Sequence, residues 1–589
     1  MVEERGAYPG GRPRTASWTK LFGTFLVALD PFKLLVAAAG ILVTALGWWF
    51  LSLVFYNAWS TPKEPNLEAI RTRLTKEKPN LAEEDRLREA SEELVAAQAK
   101  YDKDLDTWAL MHELAGPSDR PNELYARWYG RKFPATAATA GTLRNYRLVE
   151  GKGGRYRTMP WAENRGPNPF LFTRTVVSGT GAERGEALTW FASNQAPNLI
   201  EPLLKFLTPV FYLFENRANF WVRIYLLLLI VWFLAVWAFF GGVITRMAIL
   251  QLAGKEGGGV KEAIAYVRTR YLSYLLSPLV PLGLIGFMVI CCMLFGILHW
   301  IPGLGDLIDG LFWWLPLLAG LVMTLLLVGM VGYPMMYTTL SAEGSDTFDA
   351  LSRSYNYVYE SPWSYVWYAF VAIVYGAVLT LFVVTVGSLT VFFAKWGVSN
   401  FPTWGTDRSP EYLFIYSPES LGWRKLLVEG SPAAIDDRGH AVDQVAYDKY
   451  MDSYGWWNHM GAGLTSFWVT LVFLMVIGFG YSYFWTASSQ IYLLMRKKVD
   501  ETEMDEVYLE EEAPEVPASQ TPVTPSPAPV PTPQAPVSVP VDAPTLKTPV
   551  AVQPDAPASL PTVPGQTPAS PPSPTEPPVT EADDGKPTT

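Results

Sequence analysis

The chain has 589 residues, 49% of them hydrophobic, 14% aromatic and 17% charged. That is too apolar for an ordinary soluble protein, yet polar segments interrupt it, so the composition predicts a mosaic of membrane and water-exposed parts. The net charge of −10 is set partly by the acidic run Glu501 to Glu512, and the acidic balance argues against a nucleic-acid partner.

Residues 1–33 carry Arg5, Arg12, Arg14, Lys20 and Lys33 and precede the first apolar run, 34–56. That run is longer than a cleavable signal core and lacks a small-residue cleavage site, so it reads as a retained transmembrane helix. Crossing ~30 Å of hydrocarbon takes about 20 apolar helical residues. Six stretches reach that length: Leu34 to Tyr56, Phe220 to Ile244, Tyr271 to Leu298, Leu311 to Leu340, Trp363 to Ala394, and Leu464 to Met495. Basic residues flank the first run, the connection after the second (Arg246, Lys255, Lys261, Arg268, Arg270) and the end of the sixth (Arg496, Lys497, Lys498). With six spans all three flanks fall on one side, which predicts cytoplasmic N- and C-termini. Trp48, Trp49, Trp300, Trp313, Trp314, Trp363 and Trp396 cluster toward span ends, as interfacial anchors do.

Residues 57–219 form the first extracytoplasmic domain. Asn80 to Leu114 places Leu87, Ala90, Leu94, Ala97, Tyr101, Leu105 and Trp108 along one helical face, and Leu67 to Lys78 precedes it across Pro79. A helical hairpin or short coiled coil follows, packing on itself or on a partner. From Arg120 to Arg174 the domain turns basic, and Leu143 to Val149 with Arg155 to Met159 could pair as a β-hairpin about EGKGG. Such a surface suits an extracytoplasmic protein or an anionic envelope component, or is simply solvated.

Residues 220–394 contain four spans and two similar segments, KEGGGVKEAIAYVRTRYLSYLL at Lys255 to Leu276 and AEGSDTFDALSRSYNYVYESPWSYVW at Ala342 to Trp367. Glu262, Ala263 and Ile264 align with Asp349, Ala350 and Leu351; after an insertion in the second copy, Leu272, Ser273 and Tyr274 align with Trp363, Ser364 and Tyr365. Helical spacing of Val260, Ile264, Val267 and Tyr271, and of Phe348, Leu351, Tyr355 and Val358, predicts one amphipathic interfacial helix per copy. Asp346 or Ser345 can cap the second, with Asp349 in its first turn. A duplicated span, interfacial helix and span occurs in transporters. Inside the six apolar runs, however, Arg223 is the sole ionisable residue of the Asp, Glu, Lys, Arg and His types, whereas ion-coupled transporters need such groups at depth. Pro278, Pro281, Pro316 and Pro334 either kink their spans or break them around a binding site. Cys291 and Cys292 are adjacent in an apolar run and read as small hydrophobes.

Three segments, ITRMAILQLA at Ile244 to Ala253, EGSDTFDALSRSYNYVYESPWSYVWY at Glu343 to Tyr368, and SSQIYLLMRKKVDETEMDEVYLEE at Ser488 to Glu511, resemble uncharacterised bacterial, planctomycete-like polytopic membrane proteins. The middle one is also weakly similar to the membrane domain attached to some glycerophosphodiester phosphodiesterases. The likeness covers roughly 220–511, and no phosphodiesterase catalytic domain accompanies it. It implies an architecture and no chemistry.

Residues 395–463 form a second extracytoplasmic loop domain, where Asp436, Asp437, His440, Asp443, Asp448 and His459 gather carboxylates and imidazoles without the spacing of a calcium loop or a paired-histidine zinc motif. Span six, 464–495, leads to 496–589, an acidic then proline-rich segment with nearly half of the 48 prolines. This composition cannot bury a core and predicts a disordered cytoplasmic tail, a spacer or a ligand for polyproline-binding grooves. The sequence thus predicts a mainly α protein: a six-helix transmembrane bundle with a duplicated unit, an outer helical domain and a disordered C-terminal tail. It predicts a non-enzymatic membrane scaffold or adaptor with lipid and protein partners, the alternative being a transporter or lipid-handling permease, and assigns no catalytic, cofactor or metal residue.

Overall fold

The computed structural model describes residues 17–80, 82–117, 153–163, 165–166, 168–170, 196–255, 259–400, 410–435 and 441–509. The chain divides into two units, Met1–Glu511 and Glu512–Thr589, at the point where the composition becomes proline-rich. All described residues belong to the first unit, and the predicted disorder of the tail falls outside them. Among the described residues there is no strand, only an isolated bridge between Ile435 and Ala441. The Arg155 to Met159 arm of the predicted β-hairpin is a run of turns, and its partner arm lies outside the described residues.

A short helix α1 (Thr24–Ala28) leads to α2 (Pro31–Asn57). Asp30 caps α2 by accepting a hydrogen bond from the Phe32 amide at 2.9 Å, and Pro31 opens the helix where its missing N–H costs nothing. The hairpin α3 (Leu67–Glu77) and α4 (Glu83–Ala115) follows, joined across exposed pairs such as Arg71–Glu83 at 2.6 Å. Exposed pairs contribute little; Leu74 of α3 and Ala90 of α4 are buried, while farther along α4 Tyr101, Leu105 and Trp108 form a separate buried cluster beside Trp59. Next come α5 (Glu201–Leu213) and α6 (Phe220–Leu252), then α7 (Val260–Gly296). The fourth apolar run is α8 (Trp314–Gly329) and α9 (Tyr333–Glu343), joined by a 3-10 turn at Met330–Gly332. After α10 (Thr347–Glu360) and α11 (Pro362–Ser399) the chain passes through α12 (Gln444–Asp452) into α13 (Trp456–Val499).

Six helices are long and apolar enough to cross a membrane: α2, α6, α7, α8 with α9, α11 and α13. Several overshoot it. The 44 residues of α13 span about 66 Å, over twice the hydrocarbon thickness. The extensions turn residues assigned to connections into buried helix, including Arg246 in α6.

The two similar segments differ in structure. In the first, nothing interrupts the helix after Tyr271, so the predicted interfacial helix and the following span fuse into α7. In the second, Ser361–Pro362 ends α10 and starts α11. Asp346 caps α10 as predicted, accepting from the Asp349 amide at 2.9 Å. Its buried face is Ala350, Ser354, Tyr357 and Val358, while Phe348 points outward. Two hydrogen bonds fix this buried face: the Ser354 hydroxyl donates to Gly332 O at 2.7 Å, and Tyr357 donates to Asp500.

The packing centre lies to one side of the four central spans, along the first of them and the sixth span. The cytoplasm-proximal half of α13 by sequence reading, Phe473 to Arg496, is nearly all buried, and so is Phe233 to Leu250 of α6. In contrast, only 6% of the most apolar window of α7 is buried, against 61% for α6. Thus α7 and α8 form a peripheral hairpin around an α6–α13 axis. Trp48 joins this core rather than an interfacial belt: it stacks on Phe233 and its indole donates to Leu229 O at 3.1 Å.

Where α4 meets α2, the His112 ring stacks on Trp108 and its Nδ1 lies 2.9 Å from the Tyr56 hydroxyl. Burial lowers the His112 pKa to about 4. The unfolded chain protonates this imidazole near 6.5, the folded chain near 4, so its contribution favours folding fully above pH 6.5 and is lost as pH falls toward 4. Thermal denaturation of detergent-purified protein should show the α4–α2 contact weakening by on the order of 2 kcal/mol between pH 7 and pH 4.5, with His112→Gln flattening that dependence.

Candidate functional site

The short apolar stretch around α5 is too short to cross a membrane. The helix packs beside α6, Phe206 meeting Phe233 and Tyr333, which places its first residue deep in the bundle. Glu201 lies 3.4 Å from the hydroxyl of Tyr481 on α13, and Tyr481 stacks on Trp237, midway along α6. The domain read as wholly external therefore sends a re-entrant segment back among the spans and carries charge there.

Four charged residues meet at that level. Arg165 Nε and Nη2 form a fork on Glu201 at 2.8 and 2.9 Å; Nη2 also reaches Glu163 at 2.6 Å, and Nη1 reaches Pro160 O at 2.5 Å and Ser420 Oγ at 2.9 Å. These bonds use all five guanidinium donors. Lys205, one helical turn after Glu201, adds contacts of 2.8 Å to Glu201 and 3.0 Å to Glu163. Two carboxylates thus balance two cations.

This network fastens the two long loop segments, at 160–165 and 419–420, to each other and to the bundle. Ser420 belongs to the second segment, and the Glu419 amide donates to Trp161 O at 3.0 Å. Beside it, Asn168 Nδ2 and Trp423 Nε1 both donate to Ser388 Oγ of α11 at 3.0 Å.

A second network occupies the opposite end of α13. The Asp500–Leu509 segment, read as the start of a free tail, is instead held against the bundle. Arg246 Nη1 donates to Ser341 O at 2.6 Å and to Tyr508 O at 2.9 Å, its guanidinium 4.0 Å above the Tyr266 ring. The Tyr508 amide donates to Ala342 O at 2.7 Å, and Arg496 Nη2 donates to the Glu503 and Glu506 carbonyls. Glu343 binds the Tyr492 hydroxyl at 2.6 Å and Arg353 at 3.0 Å. At Gly344, in the left-handed region with φ +65, a Cβ would lie 2.8 Å from the Tyr508 ring, so the chain passes closely there.

Among the described residues, the polar side chains singled out from sequence do not assemble. Asp443 caps α12, Asp448 accepts from Gln444 at 2.8 Å, and His459 Nδ1 lies 2.9 Å from the Tyr416 hydroxyl. Asp436, Asp437 and His440 lie outside the described residues. Among the described residues no three His, Cys, Asp or Glu side chains could hold a metal together. No family model, curated protein or solved structure matches this chain.

Removing one partner from a buried ion pair leaves the other charge stranded, at a cost of about 3–5 kcal/mol. Arg165→Met should therefore lower the melting temperature of the detergent-purified protein sharply, whereas Arg165→Met with Glu201→Leu should recover much of the loss. At the other end, Arg246→Ala combined with Arg496→Ala should leave the bundle folded but free the Asp500–Leu509 backbone, read as a rise in amide hydrogen exchange confined to that segment and its neighbours.

Proposed function

We propose that this protein is a non-enzymatic scaffold or adaptor of a bacterial cytoplasmic membrane, with both termini cytoplasmic. In this reading the outer domains face an extracytoplasmic protein or anionic envelope component, and the proline-rich tail engages a cytoplasmic protein. The bacterial setting rests on the resemblance of residues 220–511, and the orientation on the distribution of Lys and Arg.

The observation that carries the reading is the clamp on Asp500–Leu509. A tether works from a fixed origin, and here two buried arginines, each under 5% exposed, grip main-chain carbonyls just before the proline-rich sequence begins. Side-chain identity in the segment matters little to such a grip.

A transporter or lipid-handling permease is favoured by the charges at bundle depth, since buried ionisable groups mark transport routes in many membrane proteins. Those charges are balanced, and every donor of Arg165 is already committed, which supports a structural role in place of an exchangeable one.

The tail is tested by truncation after Glu512. Membrane insertion and thermal stability should be unchanged, while proteins that co-purify with the full chain in mild detergent should be lost. Unchanged co-purification would refute the tether.

A further inference from the structure

At the end of the bundle where the N-terminal residues meet the clamped segment, an open cleft of about 630 Å³ lies between Thr19–Gly23, the end of α6, the last turns of α13 and Glu503–Asp505. Gln490, which lines it, is 3% exposed and its Nε2 has no hydrogen-bond partner. A buried amide donor left unpaired is costly, so this atom calls for an acceptor. Gln251 on the same wall is satisfied, accepting from Lys33 at 2.6 Å and donating to Asp30 at 2.9 Å.

The remaining polar groups carry both signs. Lys20 stands in the N-terminal wall, its ammonium on the Met504 sulfur at 2.9 Å, a weak acceptor that a stronger anion would displace. On either side of Met504 in sequence stand Glu503, which is shared with Lys497 at 2.6 Å, and Asp505, which has no ion-pair partner among the described residues. The neighbouring surface is apolar: Phe22, Leu26, Phe32 and Leu35 are all more than 40% exposed.

We infer that this cleft binds the headgroup of a phosphoethanolamine lipid. The phosphate oxygens accept from Gln490 Nε2 and from Lys20; the primary ammonium sits by Asp505 and Glu503; the acyl chains lie along Phe22 and Leu26. Phosphatidylglycerol offers no cation to the carboxylates, and the quaternary amine of phosphatidylcholine has no N–H to donate. The inference requires only that the bundle lies in a membrane, and holds for a scaffold or a transporter alike.

The test uses the full chain in detergent with tail-labelled phosphatidylethanolamine, phosphatidylcholine and phosphatidylglycerol, read by fluorescence anisotropy. Phosphatidylethanolamine should bind about tenfold more tightly than the other two, the effect of one good charge-assisted contact. Asp505→Asn should erase that preference by weakening phosphatidylethanolamine alone, and Gln490→Leu should weaken all three. Soluble phosphoethanolamine should compete while inorganic phosphate does not. Equal affinity for the three lipids, unchanged preference in Asp505→Asn, or equal competition by inorganic phosphate would overturn the inference. Because Gln490 is buried, the exposed substitution Lys20→Ala repeats the test of the phosphate contact in a variant whose fold is not at risk; unchanged binding there would count equally against it.

Discussion

A guanidinium buried inside an apolar bundle is tolerable only when its charge is balanced and each of its donors is bonded. Arg165 meets both conditions, and much of the architecture follows from how it does so. Its acceptors come from its own loop (Pro160, Glu163), from the re-entrant helix (Glu201) and from a loop more than 250 positions away (Ser420). Satisfying this one side chain draws both long loop segments onto the bundle and holds α5 beside α6 and α13. Such a network is poor at adding net stability, because desolvation offsets the Coulombic gain; its effect is to penalise arrangements that leave a member unpaired.

The longest helix connects this network to the second. Along α13, Tyr481 touches the Arg165 cluster, while Tyr492 and Arg496 reach Glu343 and the clamped segment. Between them Trp485 lies in a stack with Tyr337 and beside Trp237, leaving little room for a side chain at Gly241, whose added Cβ would fall 2.8 Å from the Trp485 ring. Close aromatic packing thus fills the stretch of α13 between the two polar clusters.

The spans were legible because about 20 consecutive apolar residues are a one-dimensional signal that tertiary context hardly alters. The cap at Asp346 and the α3–α4 hairpin were legible for the same reason, since spacing along the chain defines them. Overlooked were features made by residues far apart in sequence. Glu201 and Lys205 sit outside the long apolar runs, so a search for charge within spans passed over them, although the apolar stretch ending in Phe214, too short to cross and too long for a loop, was the available sign of re-entry. The Asp500–Leu509 segment looked like free tail because its acidic composition favours solvent; the grip on it is through backbone carbonyls, which composition does not report. Phe348 and Ile264 face outward, which is where the apolar side of an interfacial helix meets lipid.

In the scaffold reading proposed above, the core positions its appendages and moves nothing across the bilayer. Reconstitution of the full chain into sealed vesicles, with ion, small-solute and fluorescent-lipid flux recorded against protein-free vesicles, tests this most directly. The account predicts flux equal to the protein-free baseline for every probe; robust flux that scales with protein and is abolished by Glu201→Gln would contradict it.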